Sequence, residues 1–216
     1  MNRESGRGPW TLPALSAAHS RTVGGGVADP GGAVVWITAG ARLEVRGFVP
    51  APSGDGHLLL EGVAGQATLA SFEPDEAAVL DVLARRHGPL AAEQVLCGDG
   101  IAAMYRAICL LRGTTPRRID AARIIAGAAA ARDPQCSRAL AMFCGLLGDL
   151  AGQVALTLGS RGGVVIAGEV ATSLGDWFVR SPFRRRFESR GRSRDTLRAI
   201  PTVVASAAVT PLFMPL

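Results

Sequence analysis

The most continuous apolar pattern in the chain runs over residues 134–158. Large apolar side chains recur there every three or four positions, which is the spacing of one helix face. They belong to Leu140, Phe143, Leu147, Leu150, Val154 and Leu158. Because Ala, Gly and Ser fill most other positions, this helix is apolar nearly all round, and we expect it in the middle of the fold. Asp133 suits its N-cap and Pro134 its first helical position.

A glycine-rich break follows this helix and leads into a β-branched run without polar alternation at residues 164–168. Such a run is typical of a central strand that is covered on both faces. Shorter apolar or alternating runs predict further strands at residues 33–38, 42–46, 58–60, 67–72 and 201–205. Residues 39–41 are expected to form the hairpin turn between the first two of these strands.

Helical periodicity is clearest at residues 74–87, which begin with acidic residues and end with Arg85, Arg86 and His87. This charge order complements the helix dipole. Further helices are predicted at residues 90–96, 101–111, 120–132, 173–180 and 183–189, with Asp99 as a cap. Residues 1–22 have no clear period and are predicted to be disordered. Strands and helices together predict an α/β fold with a mixed sheet packed with helices.

Composition narrows the classes of partner. The chain has 216 residues, of which 48% are hydrophobic, so a sizeable core can form. Its net charge of +5 arises from 23 arginines with no lysine, which is typical of a GC-rich genome. Aromatic residues make up 5%, which is poor material for stacking on bases. We therefore expect no nucleic-acid partner.

The cysteines and the N-terminus indicate a cytoplasmic protein. Cys97, Cys109, Cys136 and Cys144 include no pair with metal-ligand spacing, so we expect buried, reduced thiols and no metal site. The first twenty residues lack the features of a signal peptide. The long apolar helix could span a bilayer by length, but Asp149 and other polar groups interrupt it, so no membrane span is predicted.

Three stretches between residues 92 and 192 resemble the bacterial glucokinase family. Residues 92–101 read A-E-Q-V-L-C-G-D-G-I and precede a helix with M-Y-R-A. Residues 158–168 read L-G-S-R-G-G-V-V-I-A-G, and residues 182–192 read P-F-R-R-R-F-E-S-R-G-R. Each motif is weak alone, but the ordered set is specific, and the resemblance covers about residues 67–202.

The resemblance implies a fold and an activity. Members of this family phosphorylate glucose on its 6-hydroxyl with ATP and Mg²⁺, between two lobes of the actin and hexokinase (ribonuclease H-like) kind. The small first lobe carries a D-x-G-G-T-N phosphate loop and the aspartate that acts as general base. The larger lobe carries sugar-binding residues and much of the nucleotide site. By this resemblance residues 23–216 are the larger C-terminal lobe, and the N-terminal lobe is absent.

The chain departs from the family pattern at several points. It contains no D-x-G-G-T-N and no N-D-F segment, so no catalytic residue is identified. The second phosphate loop of the family, G-T-G-L-G, has its nearest remnant at residues 24–28. We therefore expect impaired glucose phosphorylation by this chain alone. The alternatives are a non-catalytic sugar-binding or dimerising remnant, with a homodimer as its assembly, and one half of a split hexokinase.

Glu93 is the best match to a sugar-binding residue of the family, since a carboxylate accepts hydrogen bonds from adjacent hydroxyls. The family segment E-G-G-H fits this sequence in two registers. One register uses residues 52–57, with His57 kept and Asp55 in place of the glutamate. The other, counted back from Glu93, uses residues 63–66 and places Gln66 at the histidine position. The two registers exclude one another.

Glycines near the predicted central strand are the candidate cofactor residues. Gly162, Gly163 and Gly168 lack a Cβ and would let the backbone approach an adenosine or its phosphates, although tight turns explain them equally well. Glu169 stands where the family has a second glycine and adds negative charge there. The arginine run at residues 184–198 could attract phosphate but is more typical of a solvated helix face.

Overall fold

The structure, a computed structural model, describes residues 20–52, 57–62 and 64–205. Its centre is a six-stranded mixed sheet with the strand order β1-β6-β5-β2-β3-β4. The strands are β1 (Ser20–Gly24), β2 (Val34–Ala39), β3 (Leu43–Pro50), β4 (His57–Glu61), β5 (Gly163–Ala167) and β6 (Thr202–Ala205). Strands β2, β5 and β6 run parallel, whereas β1, β3 and β4 pair antiparallel with their neighbours. The predicted mixed sheet is confirmed.

Nine α-helices lie in the described part of the chain. They are α1 (Pro74–His87), α2 (Ala92–Val95), α3 (Gly98–Leu111), α4 (Ala121–Ala129), α5 (Pro134–Thr157), α6 (Glu169–Ser173), α7 (Asp176–Arg180), α8 (Phe183–Glu188) and α9 (Arg194–Ala199). Helix α1 has the predicted bounds, and Asp133 caps α5 as predicted by accepting from the backbone N–H groups of Gln135 and Cys136.

Four local predictions are wrong. Residues 67–72 form no strand, because only Thr68 finds a partner there, in an isolated bridge to Ala91. The helix expected at residues 173–180 is replaced by α6 and α7, which meet near Gly175. Cys97 caps α3 through its sulfur, so Asp99 lies inside that helix. Residues 20–22 of the segment predicted to be disordered belong to β1, while residues 1–19 lie outside the described residues.

Helix α5 and strand β5 form the predicted centre. All five residues of β5 are buried, and the strand lies between β6 and β2. Helix α5 is long and apolar enough to cross a membrane, yet 78% of its most apolar window is buried inside the fold. Its small residues allow the close approach that the sequence predicts, since a Cβ on Gly148 would lie 2.3 Å from the carbonyl oxygen of Phe183.

A buried ion cluster joins α1, α5 and α8. The guanidinium of Arg186 donates to Glu76 Oε1 at 2.5 Å and Oε2 at 3.0 Å, and to Asp149 Oδ2. Their side chains are only 5–6% exposed. Burial raises the pKa of Asp149, and the hydrogen bond and charge of Arg186 oppose that rise. Asp149 is therefore a helix–helix contact, as its place inside the long helix predicts.

Candidate functional site

Three parallel strands end at one edge of the sheet, which is where open α/β sheets bind ligands. Strands β2 and β5 finish there at Ala39 and Ala167. The turn between β2 and β3, residues 40–42, lies at the same edge. We call this turn the edge turn.

The edge turn is fixed to the helices on one side. The carbonyl oxygen of Gly40 accepts a hydrogen bond from the backbone N–H of Gly98 at 3.0 Å, which joins the turn to the start of α3. A Cβ on Gly40 would lie 3.7 Å from Cγ of Glu169, so the first residue of α6 packs against the same turn. The turn is thus held in one place by two helix starts.

On its other side the edge turn lies beside a pair of polar side chains. Gln66, at the end of a 3-10 helix (Ala64–Gln66), donates its side-chain amide to Glu93 Oε1 at 2.5 Å. A Cβ on Gly65 would lie 3.2 Å from Glu93 Oε2 and 3.8 Å from the carbonyl oxygen of Leu43, the first residue of β3. Gly65 therefore lies between the carboxylate of Glu93 and the start of β3, and a side chain there would crowd that carboxylate.

Backbone hydrogen bonds hold this pair together. The N–H of Ala92, the first residue of α2, donates to the carbonyl oxygen of Ala67 at 2.9 Å, and Thr68 bridges to Ala91. Gln94 adds a local contact, because its side-chain oxygen accepts from the N–H of Ala91 at 2.8 Å. Both segments that carry the pair are thus fixed by main-chain contacts rather than by the pair itself.

The Gln66–Glu93 pair offers the groups that recognise neighbouring hydroxyls. A carboxylate is an acceptor with two oxygens, and an amide supplies both a donor and an acceptor. Glu93 is half-buried and Gln66 is exposed, so the pair is open to a ligand. A polyol with adjacent hydroxyl groups is the class of ligand that such a donor and acceptor set suits.

The other candidate sugar residues lie elsewhere. The structure brings Gln66, and not His57, into hydrogen-bond contact with Glu93. His57 begins β4, where it lies opposite Pro50 on β3. Glu61, at the other end of β4 and closer in sequence to Gln66, is about 14 Å away from His57 along the strand. Its two ring nitrogens are buried, with no hydrogen-bond partner among the described residues. Asp55 lies outside the described residues. Contacts at Glu93 thus favour the register that ends at Gln66.

The three candidate cofactor glycines are not together. Gly162 and Gly163 lie at the beginning of β5, and Gly168 follows its end, about 16 Å along the strand. Gly162 has no room for a side chain, since a Cβ would lie 2.6 Å from the carbonyl oxygen of Gly32. Packing therefore accounts for Gly162. Of the three glycines only Gly168 follows the end of β5, near the edge turn; its φ of 97° suits glycine, and a Cβ there would lie 2.4 Å from the carbonyl oxygen of Ala39.

The remnant of a phosphate loop expected at residues 24–28 lies away from the edge turn and from Gly168. Gly24 ends β1, and it pairs with Thr202, the first residue of β6. The end of β1 therefore lies at the opposite edge from Gly168. A Cβ on Gly26 would lie 2.3 Å from the carbonyl oxygen of Ala199, so its glycine is explained by packing.

A cavity of about 470 Å³ opens beside Gly40 and Gly168, and we call it the edge cavity. It is lined by Ala41, Gly98, Asp99, Ala102, Asp120, Ala121, Ala122, Ile125, Glu169, Val170 and Ser173. Helices α3 and α4 both begin at it. Asp120 caps α4 by accepting from the backbone N–H of Arg123 at 2.9 Å. Asp99 and Glu169 are exposed carboxylates at its wall. No group of three or more metal-ligating side chains occurs among the described residues.

The sequence predicts the turn between β2 and β3 but not its place in a candidate site, and it does not predict the edge cavity. The place of the turn depends on the parallel pairing of β2 with β5, more than a hundred residues away. Asp120 of the cavity carries a local signal, since an aspartate before an apolar periodic segment is a frequent N-cap.

Comparisons with known proteins agree with this architecture. The Glucokinase family model matches residues 8–213. A glucokinase of Aromatoleum aromaticum is 45% identical over 197 residues, covering 91% of this chain and 59% of that protein. One of Chromobacterium violaceum is 36% identical, covering 93% of this chain and 57% of that protein.

Solved structures give the same answer. A glucokinase from an Antarctic psychrotroph superposes with a TM-score of 0.83 at 26% identity, covering 90% of this chain and 60% of that one. A Balamuthia mandrillaris glucokinase in complex with glucose shares the fold, with a TM-score of 0.76 at 14% identity over 89% of this chain and 56% of that one. The predicted actin/hexokinase-like fold is confirmed, and the chain spans about 60% of the length of its matched relatives. It belongs to the glucokinase family.

Proposed function

We propose that this chain is the larger, hexose-binding lobe of an ATP-dependent glucokinase. The observation that carries the proposal is the Gln66–Glu93 pair, whose side chains are 2.5 Å apart beside the edge turn. Glu93 accepts hydrogen bonds from two sugar hydroxyls, and Gln66 holds that carboxylate in place while offering its own oxygen. Glucose is the hexose that the family relationship favours.

The edge cavity is the proposed place of the donor nucleotide. Its size suits a nucleoside, and Ala41 of the edge turn is part of its lining. Exposed carboxylates such as Asp99 suit hydrogen bonds to ribose hydroxyls rather than contact with phosphates. The edge turn lies between cavity and sugar pair, so a polyphosphate leaving the cavity would pass over the turn toward the sugar.

Mg²⁺ belongs to the proposal as a companion of ATP. This ion is usually held by substrate phosphates together with one or two carboxylates, so a protein cage is not required. When bound, it neutralises charge on the phosphates during transfer. The residues of this chain position the hexose and the nucleoside. A general base beside the attacking hydroxyl has no candidate among the described residues, since Glu93 is assigned to binding the sugar.

Replacing Glu93 tests the sugar site. Glu93→Gln keeps the shape but removes the charge, and we expect it to weaken glucose binding at least about tenfold, because charge-assisted hydrogen bonds are roughly twice as strong as neutral ones. Isothermal titration of glucose into the purified chain measures this. Glu61→Gln is the matched control, an exposed carboxylate on β4. Equal affinity of the Glu93→Gln variant and the unaltered chain would contradict the proposal.

Replacing Glu169 tests the nucleotide site. The Cγ of its exposed side chain packs against the edge turn over which the phosphates would pass. Removing one negative charge at about 4 Å from a phosphate is worth about 1 kcal/mol even in water. We therefore expect Glu169→Gln to tighten binding of Mg-ATP at least about fivefold in isothermal titration. Asp195→Asn on α9 is the control for the charge change, and unchanged affinity in both variants would count against the edge cavity.

Two alternative functions can be distinguished with the same purified chain. Glucose binding without turnover, even after a separate polypeptide that carries D-x-G-G-T-N is added, is the result for a sugar-binding remnant. Restoration of turnover by a separate polypeptide that carries D-x-G-G-T-N is the result for one half of a split hexokinase. A cytoplasmic location and a homodimer stay predictions within this proposal.

A further inference from the structure

A second cavity lies far along the chain from the proposed sugar pair, around the end of α8. Its volume is about 420 Å³. It is lined by Arg185, Glu188, Ser189, Arg190, Gly191 and Arg194. We call it the basic cavity. Three of its six lining residues are arginines, and the cavity is open enough for a phosphoryl group to reach them.

Charge accounting leaves this cavity positive. Its one carboxylate, Glu188, is neutralised from outside the cavity, because Arg184 Nε lies 2.6 Å from Glu188 Oε1. Arg185 has only a weak pairing, with its Nη2 3.6 Å from Glu73 Oε1 and both side chains more than half exposed. Arg194 is exposed, and no ion pair involves it among the described residues. Arg185 and Arg194 therefore lack a strong counter-ion, whereas Arg190 lies close enough to Asp149, outside the lining, to act on the pKa of that carboxyl.

One of these arginines is held in place in advance. Arg190 donates from Nη2 to the backbone carbonyl of Asp149 at 2.5 Å, and its guanidinium lies 5.7 Å from the ring centre of Phe72. Its Nε is buried and has no acceptor among the described residues. Nη1 is therefore the nitrogen left for an anion, and a guanidinium fixed in this way loses little entropy when it binds one.

We propose that the basic cavity binds a phosphoryl group, as inorganic phosphate or as a phosphomonoester. Arg190 is the fixed contact, and Arg185 and Arg194 close on the anion from the exposed side. The hydroxyl of Ser189 adds a neutral donor. This site is separate from the edge cavity and from the Gln66–Glu93 pair, and it does not depend on the proposed sugar or nucleotide binding.

Isothermal titration of inorganic phosphate and of glucose 6-phosphate at fixed ionic strength tests the proposal. Both titrations use the Glu93→Gln chain, so that binding of a sugar phosphate through the sugar pair is weakened. We expect saturable binding that Arg194→Ala weakens about tenfold, as loss of a charge-assisted hydrogen bond implies. Arg198→Ala is the matched control, since it removes the same charge from the same helix outside the cavity.

The outcomes separate the ligand sources. Tighter binding of glucose 6-phosphate than of phosphate identifies a phosphomonoester as the ligand, and equal binding identifies the phosphoryl group alone. The proposal is overturned if neither probe binds at millimolar concentration. It is also overturned if Arg198→Ala weakens binding as much as Arg194→Ala, because the effect would then be general surface charge.

Discussion

Arg186→Met is expected to lower the free energy of unfolding by about 3–5 kcal/mol, because removing one partner of a buried ion cluster leaves the other charges uncompensated. Arg186 is the only cation that bonds Glu76 and Asp149 among the described contacts of their carboxylates. Without it, two carboxylates face each other in the interface of α1, α5 and α8. Methionine fills similar space, so the loss comes from charge rather than from a cavity.

Urea denaturation followed by circular dichroism measures this loss. Arg185→Met is the matched control, since the side chain of Arg185 is 72% exposed and its replacement should change stability by no more than about 0.5 kcal/mol. Equal stability of the Arg186→Met variant and the unaltered chain would show that the cluster contributes nothing to the fold.

The destabilisation of Arg186→Met should shrink as the pH falls. In the unaltered chain Arg186 opposes the rise that burial causes in the pKa of Asp149. Replacing Arg186 therefore raises the pKa of Asp149 further. A carboxyl with a raised pKa binds more protons in the folded state than in the unfolded state, and stability then falls as pH rises. Unfolding at pH 5 and at pH 8 should therefore show the smaller loss at pH 5.

The second large effect concerns turnover. We expect the 216-residue chain alone to form glucose 6-phosphate at least about 10⁴-fold more slowly than ordinary kinases, which turn over at about 1–100 per second. A positioned general base contributes about 10²–10⁴-fold, and orientation of both reactants contributes more. These residues contain no D-x-G-G-T-N and no N-D-F segment, so the general base that the family resemblance implies has no counterpart here, and the first phosphate loop that would help to orient the reactants is missing.

A coupled assay with glucose, ATP and Mg²⁺ measures the rate, with Glu93→Ala as the control for a contaminating kinase. Turnover that is equal in both preparations comes from a contaminant. Turnover that Glu93→Ala abolishes would show that a base exists within this chain.

The centre of the fold could be predicted because its signals are local. Helix α5 is predicted by its apolar spacing and its N-cap Asp133, and β5 is predicted by a run of β-branched residues. Helix α1 has both its charge order and a closing Gly88 in the sequence. Each of these features depends on neighbours within a few residues, which a sequence displays directly.

The predictions that were wrong concern segments whose structure depends on distant partners. Strand β1 forms because Ser20–Gly24 pairs with β6, almost 180 residues later. Residues 67–72 carry a strand pattern, but no strand lies beside them and only Thr68 is bridged. Pairing partners are set by the three-dimensional arrangement of the sheet. Neither the formation of β1 nor the absence of a strand at residues 67–72 can therefore be predicted from the local pattern.

The residues of the sugar site stay predictions. The sequence left the partner of Glu93 open between His57 and Gln66. The structure brings Gln66 into contact with Glu93, while the pairing of β4 with β3 places His57 opposite Pro50, which favours the register that ends at Gln66. A segment with weak similarity can slip by several residues in a sequence comparison, whereas a paired strand cannot.

The most direct test of the sugar site is an NMR titration of the ¹⁵N-labelled chain with glucose. The account predicts saturable shifts of the Gln66 side-chain amide and of the backbone amides of Gly65 and Glu93, with the His57 imidazole unchanged. Shifts confined to His57 and its neighbours, or no shift at Gln66 and Glu93 at saturating glucose, would contradict it.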